Sequence, residues 1–395
     1  MKTDALVIGG GPAGLMAAER LALSGHSVLV VEQMPSFGRK FLMAGRGGLN
    51  LTHSEPIERF RRRYGKQSTS IAGQLKEFSP EVLRAWADEL GAETFVGSSG
   101  RVFPKAMKTS PLLRAWLRRL SEQGVDLRSR WRWLGEAWRF ETPEGDVTVA
   151  PQAVVLALGG ASWPKLGATG AWLRNIPDAM TTAFAPSNAG VRIAWSEFLL
   201  EKFAGQALKN VSLSIAGARQ RGDLIISRDG LIGGAVYALN PMVRKGADKL
   251  IIDLLPDRSA DDLAKVLTKQ SPKASMATRL GRLGLDPIKR ALLFEQGKPA
   301  DILHQIKALT FSIEGLMDLE RAISSVGGLH LDTVDEQMML RDWPGVFAAG
   351  EMLDWDAPTG GYLLQACFAQ GFVAGAGACA YLKTSNAAPL APSLP

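Results

Sequence analysis

Residues 7–32, VIGGGPAGLMAAERLALSGHSVLVVE, decide the fold. The apolar run 3–8 reads as a buried strand that breaks at three glycines, and residues 13–24 show apolar positions three and four apart, closed by Gly25. Residues 27–31 form a second β-branched run, so the whole is a strand–helix–strand unit. Between strand and helix, Gly9, Gly11 and Gly14 keep the G-x-G-x-x-G spacing. Gly9 permits the tight turn, Gly11 lets a pyrophosphate approach the backbone, and Gly14 allows close packing of helix on strand. The helix N-terminus then faces the anion. Glu32 ends the second strand eighteen positions after Gly14, where a carboxylate accepts bonds from ribose hydroxyls and disfavours a 2′-phosphate. The glycine triplet alone is weak; in register with strand, helix and acid it predicts a dinucleotide site.

The glycine spacing does not separate FAD from NAD. No second G-x-G-x-x-G exists, and an apolar strand at 346–349 runs into Gly350–Glu351 near the other end of the chain. One dinucleotide pocket at the N-terminus plus such a C-terminal unit reads as a flavoprotein. The segment PTGGYLLQACFAQG starts a helix at Gly360–Gly361, whose amides then point at the flavin and stabilise its reduced form.

The 395-residue chain has room for more than one core, and its 46% hydrophobic and 22% charged composition is that of a globular protein. Cys367 and Cys379 make neither a disulfide framework nor a metal site, and so few cysteines fit a reducing cytoplasm. No metal-ligand spacing or nucleophile–base pattern appears. Residues 362–382 carry no charge, but Gln365, Gln370 and many small residues predict a buried helix rather than a membrane span. The net charge of +7 is uneven: residues 59–66, RFRRRYGK, hold five basic residues, and 101–139 hold ten against Glu122, Asp126 and Glu136. Such runs serve a solvated face, a bound pyrophosphate or a polyanion such as RNA.

Residues 80–90 and 110–123 read as helices, and 125–133 alternate as one strand. The run at 153–158 reads as a central parallel strand. From about Pro186 short strands with turn residues between them suggest a barrel-like unit, and residues 259–309 read as helices opening on SADD, on PIKR and on PADI. The expected organisation is a first part of the cofactor domain at 1–185, a β-barrel-like insert at 186–256 plus 309–326, and a helical subdomain at 257–308. The cofactor domain returns at 327–383, and the tail 384–395 has too few large apolar groups to pack and reads as disordered.

The motifs VIGGGPAGLMAAERLA, GRKFLMAGRGGLNLT, GRVFP, VVLALGGASWPKLGATG and PGVFAAGEMLDWDAPTGGYLLQACFAQG together resemble the BaiN/RdsA-type NAD(P)/FAD-dependent oxidoreductases, over most of residues 5–382. The resemblance implies a Rossmann-like FAD domain of glutathione-reductase type, interrupted by a barrel-like domain and a small helical one. It implies that Gly9, Gly11, Pro12, Ala13, Gly14, Glu32 and Gln33 hold the ADP half. Arg39 and Lys40 then lie by the pyrophosphate or flavin, with Asn50 and Thr52 beside the isoalloxazine. Arg132 and Trp133 offer backbone bonds to adenine, Gly159 makes the switch-point turn, and Gly350, Glu351, Gly361, Tyr362 and Leu363 reach the ribitol and ring. Activities in the family include reduction of carbon–carbon double bonds in steroid-like acids, oxidation of an aminoketone and dihydrouridine formation in ribosomal RNA.

The chain departs from the family pattern. Gly47, Gly48, Leu49 and Asn50 stand where relatives read Gly-Arg-Cys-Asn, ISRDGLIGGAV at 226–236 lacks the usual histidine and proline, and Ala171 and Trp172 replace an acidic position after Gly170. Three acid–base candidates remain: Tyr362 beside Gly361, His330 after Gly327–Gly328, and His53 after the glycine-rich loop. The leading expectation is an FAD-dependent oxidoreductase that moves a hydride between flavin N5 and an organic substrate held between the FAD domain and the insert. NAD(P)H is its transient donor. The alternatives are an RNA-modifying dihydrouridine-forming enzyme, favoured by the basic runs, and a flavin-carrying redox sensor without turnover.

Overall fold

A computed structural model describes residues 1–271, 273–384 and 389–390. The chain divides into two compact units, Met1–Ala185 with Ser324–Pro395, and Pro186–Ile323.

The first unit is built on a five-stranded parallel sheet. Its spatial order is Val346–Ala348, Ala150–Leu156, Lys2–Ile8, Val28–Glu32 and Asp126–Ser129. The central strand pairs Ala5 with Ala153 and Ile8 with Leu156 on one side, and Val7 with Val30 on the other. Its apolar run is continuous because both faces are covered: Ala5, Leu6, Val7 and Ile8 are all buried. Parallel strands all end on one side, so Gly9, Glu32, Ala157 and Ala349 emerge together at the C-terminal edge of the sheet. In such folds that is where a crevice opens.

Residues 125–133 do not form one strand. Asp126–Ser129 pairs in the central sheet, Arg130 takes a left-handed φ of 62°, and Arg132–Trp133 starts a separate antiparallel sheet with Arg139–Thr142 and Gly145–Thr148. Trp131 N–H still donates to Glu32 O at 3.0 Å, so the break keeps the aromatic segment beside Glu32.

Helix Pro12–Leu23 starts with proline, whose missing N–H costs nothing there. It is crossed by Tyr362–Thr384, the expected uncharged helix. That helix is long and apolar enough to cross a membrane, yet 61% of its apolar window is buried inside the protein. Contact is close because the crossing residues are small: a Cβ on Gly371 would stand 2.2 Å from Ala13 O. Helices Pro80–Glu89 and Thr109–Glu122 complete the layer, and their Trp86 and Trp116 indoles donate to the buried Glu19 carboxylate at 3.0 and 2.7 Å.

The second unit is a six-stranded antiparallel sheet, in spatial order Val191–Arg192, Gly230–Ile232, Ala218–Ser227, Ala207–Ile215, Lys249–Asp253 and Leu309–Ser312. Its edges meet. Arg192 N–H donates to Gly315 O at 2.8 Å and Glu314 N–H to Arg192 O at 3.0 Å, joining the edges at one end and curling the sheet into a half-barrel. A bulge between Leu208 and Val211, with Asn210 at φ 51°, interrupts the longest hairpin, and such bulges bend a strand and increase its twist. Four helices, Ala260–Thr268, Met276–Arg282, Pro287–Phe294 and Ile302–Ala308, are capped by Ser259, Ser275, Asp286 and Asp301. The helix expected to open on Pro299 therefore starts later, where Asp301 accepts from Leu303 and His304 N–H. Leu263, Leu280, Leu292 and Ile306 share one core with sheet residues Leu213, Leu224 and Ile252. The tail 384–395, expected to be disordered, lies outside the described residues except for Thr384, which ends the long helix, and residues 389–390. Of these, Leu390 N–H donates to Pro151 O at 2.8 Å.

Candidate functional site

At the C-terminal edge of the parallel sheet lies a cleft of about 410 Å³. Its floor is the glycine turn, and each glycine has a distinct cause. Gly9 has φ 116°, and a Cβ on it would stand 2.1 Å from Ala157 O. A Cβ on Gly14 would stand 2.0 Å from Gly9 O, so that glycine lies behind the turn rather than in the wall. A Cβ on Gly11 would meet nothing within 4 Å. Its space opens on the cleft, directly before a twelve-residue helix whose first turn has no side-chain cap.

Glu32 lines the same cleft, where its carboxylate accepts from Gly10 N–H at 2.9 Å and Met34 N–H at 2.8 Å. Burial raises its pKa above the ordinary carboxylate value, against the pull of those two bonds. Gln33 donates to Gly167 O at 2.7 Å and so ties the rim strand to the loop beyond Gly159. Arg39 and Lys40 enter from the helix Arg39–Ala44. Arg39 Nε is buried with no partner among the described residues, an unmet cationic donor beside the glycine turn. Lys40 Nζ bonds Ser162 Oγ and Glu351 Oε2, both at 2.6 Å.

The far wall comes from the other end of the chain. Gly350 and Glu351 follow the strand Val346–Ala348, and Cys367 faces them from the long helix. Burial pushes the Cys367 thiol up to about 12, so it stays protonated near neutrality. At the opposite end the cleft is lined by Trp131, Arg132, Trp133, Thr169 and Arg174. Arg132 spends its side chain on Glu141, leaving its backbone to the cleft. Gly159 accepts from the Trp172 indole at 2.9 Å.

Pro12 and Ala13 also line the cleft, whereas Asn50, Thr52, Gly361, Tyr362 and Leu363 do not. With its amide oriented to satisfy both neighbours, Asn50 accepts from Gly361 N–H at 3.3 Å and donates to Thr52 O at 3.1 Å. A Cβ on Gly361 would stand 2.5 Å from Thr52 Cα, so these two backbones touch. The Thr52 hydroxyl turns away, into the core, and donates to Gln365 at 2.7 Å. Leu363 is half-buried at the start of the long helix.

The three acid–base candidates are held by other partners. Tyr362 hydroxyl donates to Glu55 at 2.6 Å. His53 stacks on the Tyr362 ring at 5.5 Å, accepts from Glu55 N–H through Nδ1, and contacts Ser99 O through Nε2 at 3.0 Å. His330 Nε2 lies 2.9 Å from Thr182 Oγ1, outside the cleft wall.

Sequence reasoning did not single out Ser162, Cys367 or Arg174. Ser162 follows Gly159–Gly160 and had a local signal in that motif. Ser325, whose N–H donates to Glu351 at 3.0 Å, had none. Leu49, in the position where a cysteine was expected from the resemblance, is fully buried and presents nothing to the cleft.

A family model described as HI0933-like protein Rossmann domain matches residues 3–377. The 3-dehydro-bile acid delta(4,6)-reductase of Clostridium scindens is 24% identical over 411 residues, covering 93% of this chain and 97% of that one. A ribosomal RNA dihydrouridine synthase of Escherichia coli K12 is 26% identical over 392 residues, 92% and 94% of the two chains. Among solved structures, the open conformation of a flavocytochrome c3 fumarate reductase aligns with a TM-score of 0.54 at 18% identity. It covers 96% of this chain and 78% of that one, a likeness of fold.

Proposed function

The chain belongs to the HI0933-like protein Rossmann-domain family of FAD-binding oxidoreductases, and on that premise we propose that it moves a hydride between bound FAD and an organic substrate, with NAD(P)H as donor. The observation that carries the reading is the glycine turn. Gly11 opens into the cleft before an uncapped helix N-terminus, with the unmet Arg39 Nε beside it. An open backbone, a helix dipole and a spare cation fit a pyrophosphate.

The helix Pro12–Leu23 and Arg39 would hold the two phosphates, and Glu32 the ribose. The Arg132–Trp133 backbone would hold adenine, with Glu351 at the ribitol. FAD supplies the hydride chemistry, and the chain supplies binding, orientation and charge. One relative is named a delta(4,6)-reductase and another a dihydrouridine synthase; both names describe reduction of a carbon–carbon double bond, which supports a reductase here. The two free cysteines support a reducing compartment, the cytoplasm. The test is anaerobic mixing of the purified protein with NADH or NADPH. Loss of the yellow colour, and its return on adding a conjugated acceptor, is the expected result. No bleaching with either nucleotide contradicts the donor assignment, and a flavin that never turns over leaves only a redox sensor.

A second reading rests on one surface. Arg61 and Arg63 pair with Glu58 and Glu55, while Arg59, Arg62 and Lys66 stand exposed with no acid bound to them among the described residues. Three free cations on one short segment suit RNA phosphates. The test compares dihydrouridine in ribosomal RNA, by mass spectrometry, in cells with and without the gene. A missing modification supports an RNA substrate; an unchanged profile removes it.

A further inference from the structure

Four segments distant in sequence converge on one ion pair in the cleft wall. Lys40 Nζ is held between Glu351 Oε2 and Ser162 Oγ, each at 2.6 Å. Glu351 Oε1 accepts from Ser325 N–H at 3.0 Å, and Ser325 Oγ accepts from Ala161 N–H at 3.0 Å. Packing leaves no slack: a Cβ on Gly160 would stand 2.1 Å from Ser325 Oγ and 3.0 Å from the Glu351 carboxyl carbon. The side chains are only 27% and 16% exposed. Both residues line the cleft, so the paired charges balance at its surface.

On the reading that this cleft holds FAD, we propose that the Lys40–Glu351 pair sets the reduction potential of the bound flavin by keeping the wall charge balanced. Two electrons and one proton taken from a donor leave one net negative charge in the cleft. An unbalanced cation beside it favours reduction and an unbalanced carboxylate opposes it, and partial burial keeps either effect from being screened away. Lys40 and Glu351 thus act as positioning groups of opposite sign, whose joint presence leaves the potential at an intermediate value.

The test is the midpoint potential of FAD on the full-length protein, titrated with dithionite against an indicator dye. Lys40→Met leaves Glu351 unbalanced and lowers the potential; Glu351→Gln leaves Lys40 unbalanced and raises it. Each shift corresponds to about a tenfold change in the reduction equilibrium, about 30 mV for a two-electron couple. Lys40→Arg and the double variant Lys40→Met/Glu351→Gln stay near the wild-type value. Shifts of one sign in both single variants, or no shift, overturn the proposal, since a packing defect does not change sign with charge. If the single variants shed FAD, the double variant decides: retention near the wild-type potential supports charge balance, and loss overturns it. A wild-type protein without FAD would instead sink the premise, so the two failures are distinct.

Discussion

Tyr362 hydroxyl lies 2.6 Å from Glu55 Oε1, a bond between residues 307 positions apart. Arg63 clamps the same carboxylate through Nε at 2.9 Å and Nη2 at 2.7 Å, and its guanidinium sits 5.7 Å from the Tyr362 ring centroid. Tyr64 hydroxyl fixes Tyr362 O at 2.8 Å. Together these contacts lock the first residue of the helix that follows Gly360–Gly361.

The electrostatics of that cluster give a pH signature. The Arg63 bonds hold Glu55 below the ordinary carboxylate value of 4.5, with a smaller contribution from Tyr362. A depressed folded-state pKa means that the stabilisation is complete above about 4.5 and is lost as pH falls through the folded value. Glu55→Gln should therefore flatten the acid limb of stability, read as urea midpoints against pH. Parallel curves for wild type and variant would contradict the coupling. Burial, and then the Glu55 bond, push the Tyr362 hydroxyl above an ordinary phenol. Tyr362→Phe should accordingly leave the pH–rate profile unchanged near neutrality while lowering stability by about 1 kcal/mol.

Two glycines two positions apart should respond in opposite ways. Gly11→Ala adds a methyl to open space, so the fold should keep its thermal midpoint without cofactor while FAD retention drops. Gly9→Ala puts a methyl 2.1 Å from Ala157 O at φ 116°, so it should lose soluble protein. Equal damage from both, read by melting and by flavin content, would remove the cofactor role of Gly11.

Gly371→Ala reverses the usual sign. Within a helix, alanine normally gains up to about 1 kcal/mol over glycine. Here the new Cβ would lie 2.2 Å from Ala13 O, so the substitution should cost about 2 kcal/mol, as overpacking does. Because Ala13 lies in the first turn of the helix that borders the cleft, FAD should also dissociate more readily. Urea denaturation and flavin release report the two effects.

Glu19 joins three helices from a fully interior position. It accepts from the Trp86 and Trp116 indoles and pairs with Arg119 Nε at 2.9 Å, while burial raises its pKa. Glu19→Ala strands two indole N–H groups and leaves Arg119 only its longer ion pair with Glu89 at 3.5 Å, and should cost about 3 kcal/mol in urea denaturation. Glu19→Gln keeps an acceptor and should cost clearly less.

The parallel sheet was legible because its signals are local. Residues 7–32 state a strand, a turn, a helix and a terminal acid in consecutive order, and the uncharged 362–382 segment revealed a core helix by its glutamines and small residues. What stayed hidden depends on distance in sequence. Lys40 and Glu351 are 311 positions apart, and no periodicity links them. Alternation at 125–133 concealed a break because Arg130 adopts a left-handed φ, which arginine does not announce. The bond from the Thr52 hydroxyl to Gln365 in the core, between residues 313 positions apart, had no signal in the sequence either.

The most direct measurement of the central claim is the flavin content of the purified full-length protein, by absorbance and by mass spectrometry of the small molecule released on denaturation. The account predicts a yellow protein that releases FAD, close to one per chain, and a Gly11→Ala protein that is folded and nearly colourless. A colourless, folded wild-type protein that takes up no added FAD would contradict it.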